Sequence, residues 1–371
     1  MRSLLKPAHY HDPAIFRREC ERIFRRVWML AAIRPMLAKH LDFRTIEIGG
    51  VPVLLQNFDG RIRAYSNICR HRLSRIHMQE FGNAPLACPY HQWAYDADGV
   101  LEAVPSNSEL FQYSPEQMRA IRLREYKVEV VGGLVFVNLD TVPLPIDQQF
   151  SPELLAVLAR DTSHMDDEYI HTRYTAGLNW KTGIENIKDP LHVQCLHRDS
   201  FPSNVDTSNS LRTAPPMDHD APPPRTAMPL AAVSTVSDVP IAGRSPHAWY
   251  DLVENLESRN FYRGVHLFPN VNLMIVAGTS FSVQVYNPLD ADRTEMHMSV
   301  ALTRPVADFG YKPVVLWEHI HSDMSVLKED LDCLEAMQRG VRAADFDIQH
   351  GAYEGGIINY HTAYLDLLDR A

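Results

Sequence analysis

Cys69-Arg70-His71 is followed, after sixteen intervening residues, by Cys88-Pro89-Tyr90-His91. Each short stretch carries one thiolate donor and one imidazole donor, the side chains that bind soft and borderline metal ions. Zinc takes such ligands, but its sites more often group Cys-x2–4-Cys with His-x3–5-His, whereas here each stretch holds one of each kind. A two-iron, two-sulfur cluster gripped between two loops suits this arrangement, since both cysteines can bind one iron and both histidines the other. Exchanging two thiolates for neutral imidazoles removes negative charge and lifts the reduction potential to about −150 to +300 mV, making an electron relay. Tyr90 and Trp93 are expected to pack against the second loop and limit solvent.

A second constellation is Glu185-Asn186-Ile-Lys-Asp189-Pro190-Leu-His192-Val-Gln-Cys-Leu-His197. Five steps of about 100° put His192 and His197 on different faces of an ideal helix. Pro190 is therefore expected to break or restart the helix and let His197 turn back. Two imidazoles plus one carboxylate on one side of Fe(II) leave positions open for O2 and a substrate. The carboxylate must come from elsewhere. In a late helix, Leu327, Leu331 and Leu334 define an inward face that also holds Asp323 and Asp330, while Glu329 and Asp332 point away. A carboxylate on an apolar face is costly unless paired or metal-bound, so both Asp323 and Asp330 are candidates.

The Cys-x-His…Cys-x-x-His string with its following aromatic resembles the Rieske domain. Glu185, Asn186, Asp189, His192 and His197 match, position by position, the Glu-Asn-x-x-Asp-x-x-His-x4-His pattern of Rieske non-heme iron oxygenase α subunits. The resemblance implies a [2Fe-2S] cluster on Cys69, His71, Cys88 and His91, and a mononuclear Fe(II) on His192 and His197. It makes Asp189 the carboxylate that bridges a Rieske histidine of a neighbouring subunit to an iron-bound histidine. The family pattern Glu-Asp followed by Glu-x-x-Gln falls on Glu329-Asp330 with Glu335 and Gln338, which selects Asp330 as third ligand over Asp323. Leu73 departs from the glycine that relatives commonly carry, so an altered first-loop backbone is expected. From Cys69 to Gln338 the resemblance covers nearly the whole chain.

These residues need elements to hold them. Pro13 to Trp28 has helical apolar spacing and reads as one amphipathic helix. From Phe43 to Phe136, short alternating runs punctuated by Asp59-Gly60 and Asp98-Gly99 predict an all-β domain, with Val128 to Leu139 as a buried strand pair. Thr141–Gln149 reads as a linker. Beyond it, helices over Trp180–Asp189 and Trp317–Val341 flank strands Val271–Val276, Phe281–Tyr286 and Met296–Leu302. The fold class is α+β. The resemblance implies an all-β Rieske domain over 41–140 and a helix-grip (START-like) catalytic domain with an antiparallel sheet and flanking helices over 141–371. The N-terminal helical segment, 1–40, packs on the latter. Ser200 to Ser245, with Pro215-Pro216 and Pro222-Pro223-Pro224, is expected to form no regular structure and to be a disordered insertion or a lid.

The 371 residues suffice for two cores. With 46 acidic against 36 basic residues and no basic stripe, nucleic acid is not an expected partner. No apolar run is long enough to span a bilayer, and Met1–Tyr10 lacks a signal-like apolar core, so a cytoplasmic location is expected. Five widely spread cysteines do not resemble a disulfide framework. Arg70, Arg72, Arg75 and His77 read as a docking patch for an acidic electron donor. The family implies a terminal oxygenase that takes NAD(P)H electrons from a flavin reductase, with or without a ferredoxin, and uses O2 on a small-molecule substrate. It also implies a homotrimer, with or without small β subunits. An aromatic compound is the first expected substrate. The alternative is oxidation or demethylation of a quaternary ammonium compound, its cation held by residues such as Phe261, Tyr262, Phe268 or Phe281. An electron-transfer protein without oxygenase activity needs only the first constellation.

Overall fold

The protein is described by a computed structural model covering residues 2–189, 191–197, 200, 228–240, 247–257 and 260–370. Two compact units are present, Phe24–Pro143 and Met1–Ile23 joined with Leu144–Ala371. No described helix is long and apolar enough to cross a membrane. The N-terminal helix α1 spans Pro13–Glu19, capped by the Asp12 carboxylate on Ala14 N, and passes into a π-helical turn, Cys20–Phe24. It ends short of Trp28, and the expected boundary at residue 40 moves to 23. The reason is β1 (Met29–Ile33), fully buried and paired antiparallel with a strand of the β-rich unit.

In that unit, β2 (Asp42–Ile48), β3 (Val51–Phe58), β4 (Arg61–Ser66), β5 (Phe81–Asn83), β6 (Ala94–Tyr95), β7 (Leu101–Ala103), β8 (Glu125–Val131) and β9 (Leu134–Asn138) follow, with α2 (Pro115–Ala120) before β8. Seven of the strands form one sheet in the order β1-β9-β8-β4-β3-β2-β5, and β6 pairs with β7. The Val128–Leu139 region is the expected hairpin, but only β9 is buried throughout. β8 is mostly exposed, which accounts for Lys127 and Glu129 among its valines.

The other unit contains α3 (Ile146–Gln149), α4 (Pro152–Thr162), β10 (Met165–Ala176), α5 (Trp180–Lys188), α6 (Leu191–Leu196), β11 (Thr235–Pro240), β12 (Phe261–Leu267), β13 (Val271–Val276), β14 (Ser280–Pro288), β15 (Thr294–Thr303), α7 (Lys312–Ala343) and α8 (Gly355–Leu368). The strands form one antiparallel sheet in the order β10-β15-β14-β13-β12-β11. The linker read over Thr141–Gln149 thus holds the one-turn α3. The segment from Ser200 to Ser245 is also not wholly irregular, because β11 lies within it. An edge strand tolerates Pro240, whose missing N–H costs no ladder bond there. The proline pairs at 215–216 and 222–224, and Pro190, lie outside the described residues.

A buried ionic cluster fixes α5. Glu19 accepts from Trp180 Nε1 (2.9 Å), Lys181 Nζ (2.5 Å) and Tyr364 OH (2.5 Å), and neither charged side chain is more than 1% exposed. Charges removed from water in this way are tolerated only when fully paired. One turn on, Glu185 accepts from Tyr10 OH (2.7 Å) and His361 Nε2 (2.8 Å). The N-terminal segment and α8 therefore clamp the helix that leads to His192.

Candidate metal centres

The two Cys/His loops share one construction. Leu73 N donates to Cys69 O (3.0 Å) and Gln92 N to Cys88 O (2.8 Å), while Cys69 N reaches Ser74 O (2.8 Å) and Cys88 N reaches Trp93 O (2.9 Å). Closing each turn takes a left-handed residue four places after the cysteine, Leu73 at φ 61° and Gln92 at φ 56°. Leu73 thus keeps the geometry that glycine would adopt without strain. A left-handed L-residue costs roughly 1–2 kcal/mol, partly offset by the larger unfolded-state entropy of glycine. The Leu73 side chain is 73% exposed and packs little. Leu73→Gly is expected to raise the temperature at which the β-rich unit loses its visible absorbance by about 3 °C, read by a thermal scan at cluster wavelengths. An unchanged or lower midpoint would show that the leucine is not strained.

Cys69 and Cys88 are free and buried. Burial pushes the Cys69 thiol up, the Tyr95 hydroxyl at 3.4 Å opposes this, and Cys88 adjoins it. His71 stacks on Trp93 (4.7 Å, 7°) and meets His91 edge-on (4.5 Å), and its buried Nδ1 has no hydrogen-bond partner. Two thiols, two facing imidazoles and an orphaned ring nitrogen fit a metal cluster. Trp93 shields the site as expected, but Tyr90 is 60% exposed. His77 leaves the expected docking patch. It is buried, lies flat on Phe43 (3.8 Å, 6°), and burial holds its imidazole down at about 4. Arg70, Arg72 and Arg75 are at least partly accessible.

In the other unit, His192, His197 and Asp330 bring ligand atoms within 4.8 Å of one another. Asp330 Oδ1 lies 3.0 Å from His197 Nε2 and 3.6 Å from His192 Nε2. Asp323 is not part of this group. His192 lies within the short α6 and His197 just past its end, which lets the two rings meet edge-on at 5.2 Å. The Asp189 carboxylate opens α6 by accepting from Leu191 N (2.9 Å), and its carbonyl receives His192 Nδ1. Asn186 Nδ2 lies 3.5 Å from His192 Nε2. Burial raises the Asp330 carboxyl, while His197, Asn186 and His192 draw it down.

Three features were missed by helical periodicity. Glu329 does not point away, because its longer side chain reaches round the helix edge to accept from His197 Nδ1 (2.7 Å) and Ser200 Oγ (2.6 Å). Gly183 lies against Tyr286, where an added Cβ would sit 2.5 Å from the ring, so only glycine lets α5 approach β14. Glu335 and Gln338 are structural: Glu335 accepts from Gly177 N (2.9 Å), and Gln338 accepts from Asn179 N (2.9 Å) while donating to Tyr10 O (2.8 Å).

The chain matches the family "Rieske [2Fe-2S] domain" over residues 28–114 and "Ring hydroxylating alpha subunit (catalytic domain)" over residues 160–370. It is 32% identical to the glycine betaine monooxygenase oxygenase subunit of Pseudomonas aeruginosa over 51% of this chain and 43% of that protein, so the match spans less than half of that relative. It is 25% identical to the carnitine monooxygenase oxygenase subunit of Acinetobacter pittii over 97% of this chain and 92% of that one. Among solved structures, a quaternary ammonium Rieske monooxygenase superposes with a TM-score of 0.75 at 21% identity, covering 98% of this chain and 93% of that one. Naphthalene 1,2-dioxygenase from Rhodococcus sp. gives 0.73 at 19% identity over 98% and 94%. With its two Cys/His loops in one unit and its His/His/Asp cluster in the other, the chain belongs to the family of ring-hydroxylating α subunits, which pair a Rieske [2Fe-2S] domain with a mononuclear iron domain.

Proposed function

We propose that the protein is the terminal oxygenase component of a Rieske system, oxidising a small organic substrate with O2 and electrons from an NAD(P)H-dependent reductase. The observation that carries this is the convergence of His192 Nε2, His197 Nε2 and Asp330 Oδ1 in a chain that also holds two paired Cys/His loops. Cys69, Cys88, His71 and His91 would hold the cluster, and His192, His197 and Asp330 the single iron. When bound, the cluster relays single electrons and the iron activates O2.

The chain's own residues prepare that second site. The Asp189 carbonyl and the Glu329 carboxylate can only accept, so Nδ1 of both histidines carries the proton and Nε2 offers its lone pair inward. Asp330 balances positive charge, and Asn186 borders the same space. Asp189, partly exposed between α5 and α6, is the electron bridge to a neighbouring subunit in a homotrimer. A cytoplasmic location, where Cys69 and Cys88 stay reduced for cluster binding, goes with this reading.

For the substrate, the quaternary ammonium reading is favoured over an aromatic ring. Tyr262 and the carboxylate of Asp323 face one interior, and relatives are named for glycine betaine and carnitine. The other cation-holding candidates are packed into the core, with Phe261 at 8%, Phe268 at 3% and Phe281 at 1% exposure. The test is an iron count with low-temperature magnetic resonance on anaerobically purified protein, then O2 uptake with a surrogate reductase and identification of the product. Three irons per chain and a mixed-ligand cluster signal are expected. Two irons per chain would leave an electron-transfer protein, and zinc between the loops would end the proposal.

A further inference from the structure

Asp323 stands on the inward face of α7, seven residues before Asp330, a rise of about 10 Å. Its Oδ2 is sealed from solvent and has no hydrogen-bond partner, and the same is true of Ser282 Oγ on β14. The two are neighbours: burial pushes the Asp323 carboxyl up to about 6, and the Ser282 hydroxyl is the group that opposes this. A carboxylate with one oxygen left without a partner in an interior is retained only at a cost, so it needs a reason.

The sheet supplies one. Ser282 pairs with Met274, and Met274 with Gly264, so all three lie in one row across β14, β13 and β12. Gly264 is flanked on the same face by Tyr262 and His266, and a Cβ there would lie 3.7 Å from Tyr262 Cε1 and 3.9 Å from His266 Nε2. Two rings and the Ser237 hydroxyl, its Oγ 3.6 Å from that Cβ position, therefore border the bare backbone at Gly264, the kind of place where a ligand can approach a strand. Arg263 turns to the opposite face and is taken up by Asp161 (2.6 Å) and Asp238 (2.7 Å), so it does not neutralise Asp323. The border is polarised. Tyr262 feels the charge of Asp323, whereas His266 is held neutral, at about 3, by burial and by Lys188.

We infer that Asp323, with the Tyr262 ring and the Ser282 hydroxyl, is the counter-ion site for a substrate carrying a positively charged alkylated nitrogen. This rests on the oxygenase reading and deepens it: Asp330 serves the metal, and Asp323 selects charge. The carboxylate supplies the ionic attraction, the Tyr262 face a cation–π contact, and the bare backbone at Gly264 room for the alkyl groups. Lys188 at the His266 end repels a cation and so sets its direction.

The test is calorimetric binding to the iron-loaded protein of choline and of its uncharged isostere 3,3-dimethylbutan-1-ol. The wild type is expected to prefer choline by about thirtyfold or more. Asp323→Asn should bring the two within about threefold by weakening choline alone, and Asp323→Glu should keep about tenfold. Iron content of three per chain checks that the variants remain intact. A wild type that binds the pair equally, or an Asn variant that keeps the full preference, overturns the assignment. Neither result touches the oxygenase reading, which stands or falls on the iron count and reductase-linked O2 uptake.

Discussion

Asp330→Ala is expected to purify with two irons per chain instead of three, an unaltered cluster spectrum, and turnover lowered by more than about 100-fold. Loss of groups that merely orient metal ligands costs about 10–100-fold, so losing a ligand costs more. The effect should be confined to one centre, because Asp330 meets His192, His197 and Asn186, all within its own compact unit. Asp323→Asn is the matched control on the same helix face and should retain three irons. Metal analysis and low-temperature magnetic resonance on both variants settle the comparison. An Asp323 variant that loses the iron while Asp330→Ala keeps it would reverse the assignment of the two carboxylates.

Asp189→Ala is expected to keep all three irons and a reducible cluster, yet lose turnover by about 100-fold or more, on the scale of groups linked to a metal ligand. Two roles must be separated. The Asp189 carboxylate accepts from Leu191 N at the start of α6, and its loss there resembles the removal of a helix cap, worth about 1 kcal/mol. Asp189→Asn keeps an oxygen for Leu191 but removes the charge. If Asn restores turnover, Asp189 only shapes α6. If both variants reduce normally with dithionite but their clusters reoxidise slowly when O2 and substrate are added, Asp189 carries electrons.

Much of the site was legible in the chain because metal ligation depends on donor type at short spacing. Cys69-x-His71 and Cys88-x-x-His91 state their chemistry within single loops, where backbone hydrogen bonds fix geometry locally. The strands from Val271 to Thr303 were readable because β-branched and small residues alternate along them. β10 was not, since Met165–Ala176 is largely polar on both faces and pairs only through β15. β11 was hidden by Ser237, Asp238 and Pro240 and exists because β12 offers it an edge.

By itself, the sequence determined which donors the protein owns and that they fall into two chemically distinct sets. Helical periodicity narrowed the third ligand to two aspartates on one face, because a repeat of 3.6 residues places both inward, and only the family pattern favoured Asp330. Tertiary structure separated them: the α6 turn brings His192 and His197 over Asp330, while Asp323 is left facing Ser282 and Tyr262. The same packing moved Glu329 into contact with His197 and His77 into the core. Those roles arise from contacts between residues distant in the chain, where reach and burial decide what local spacing cannot express.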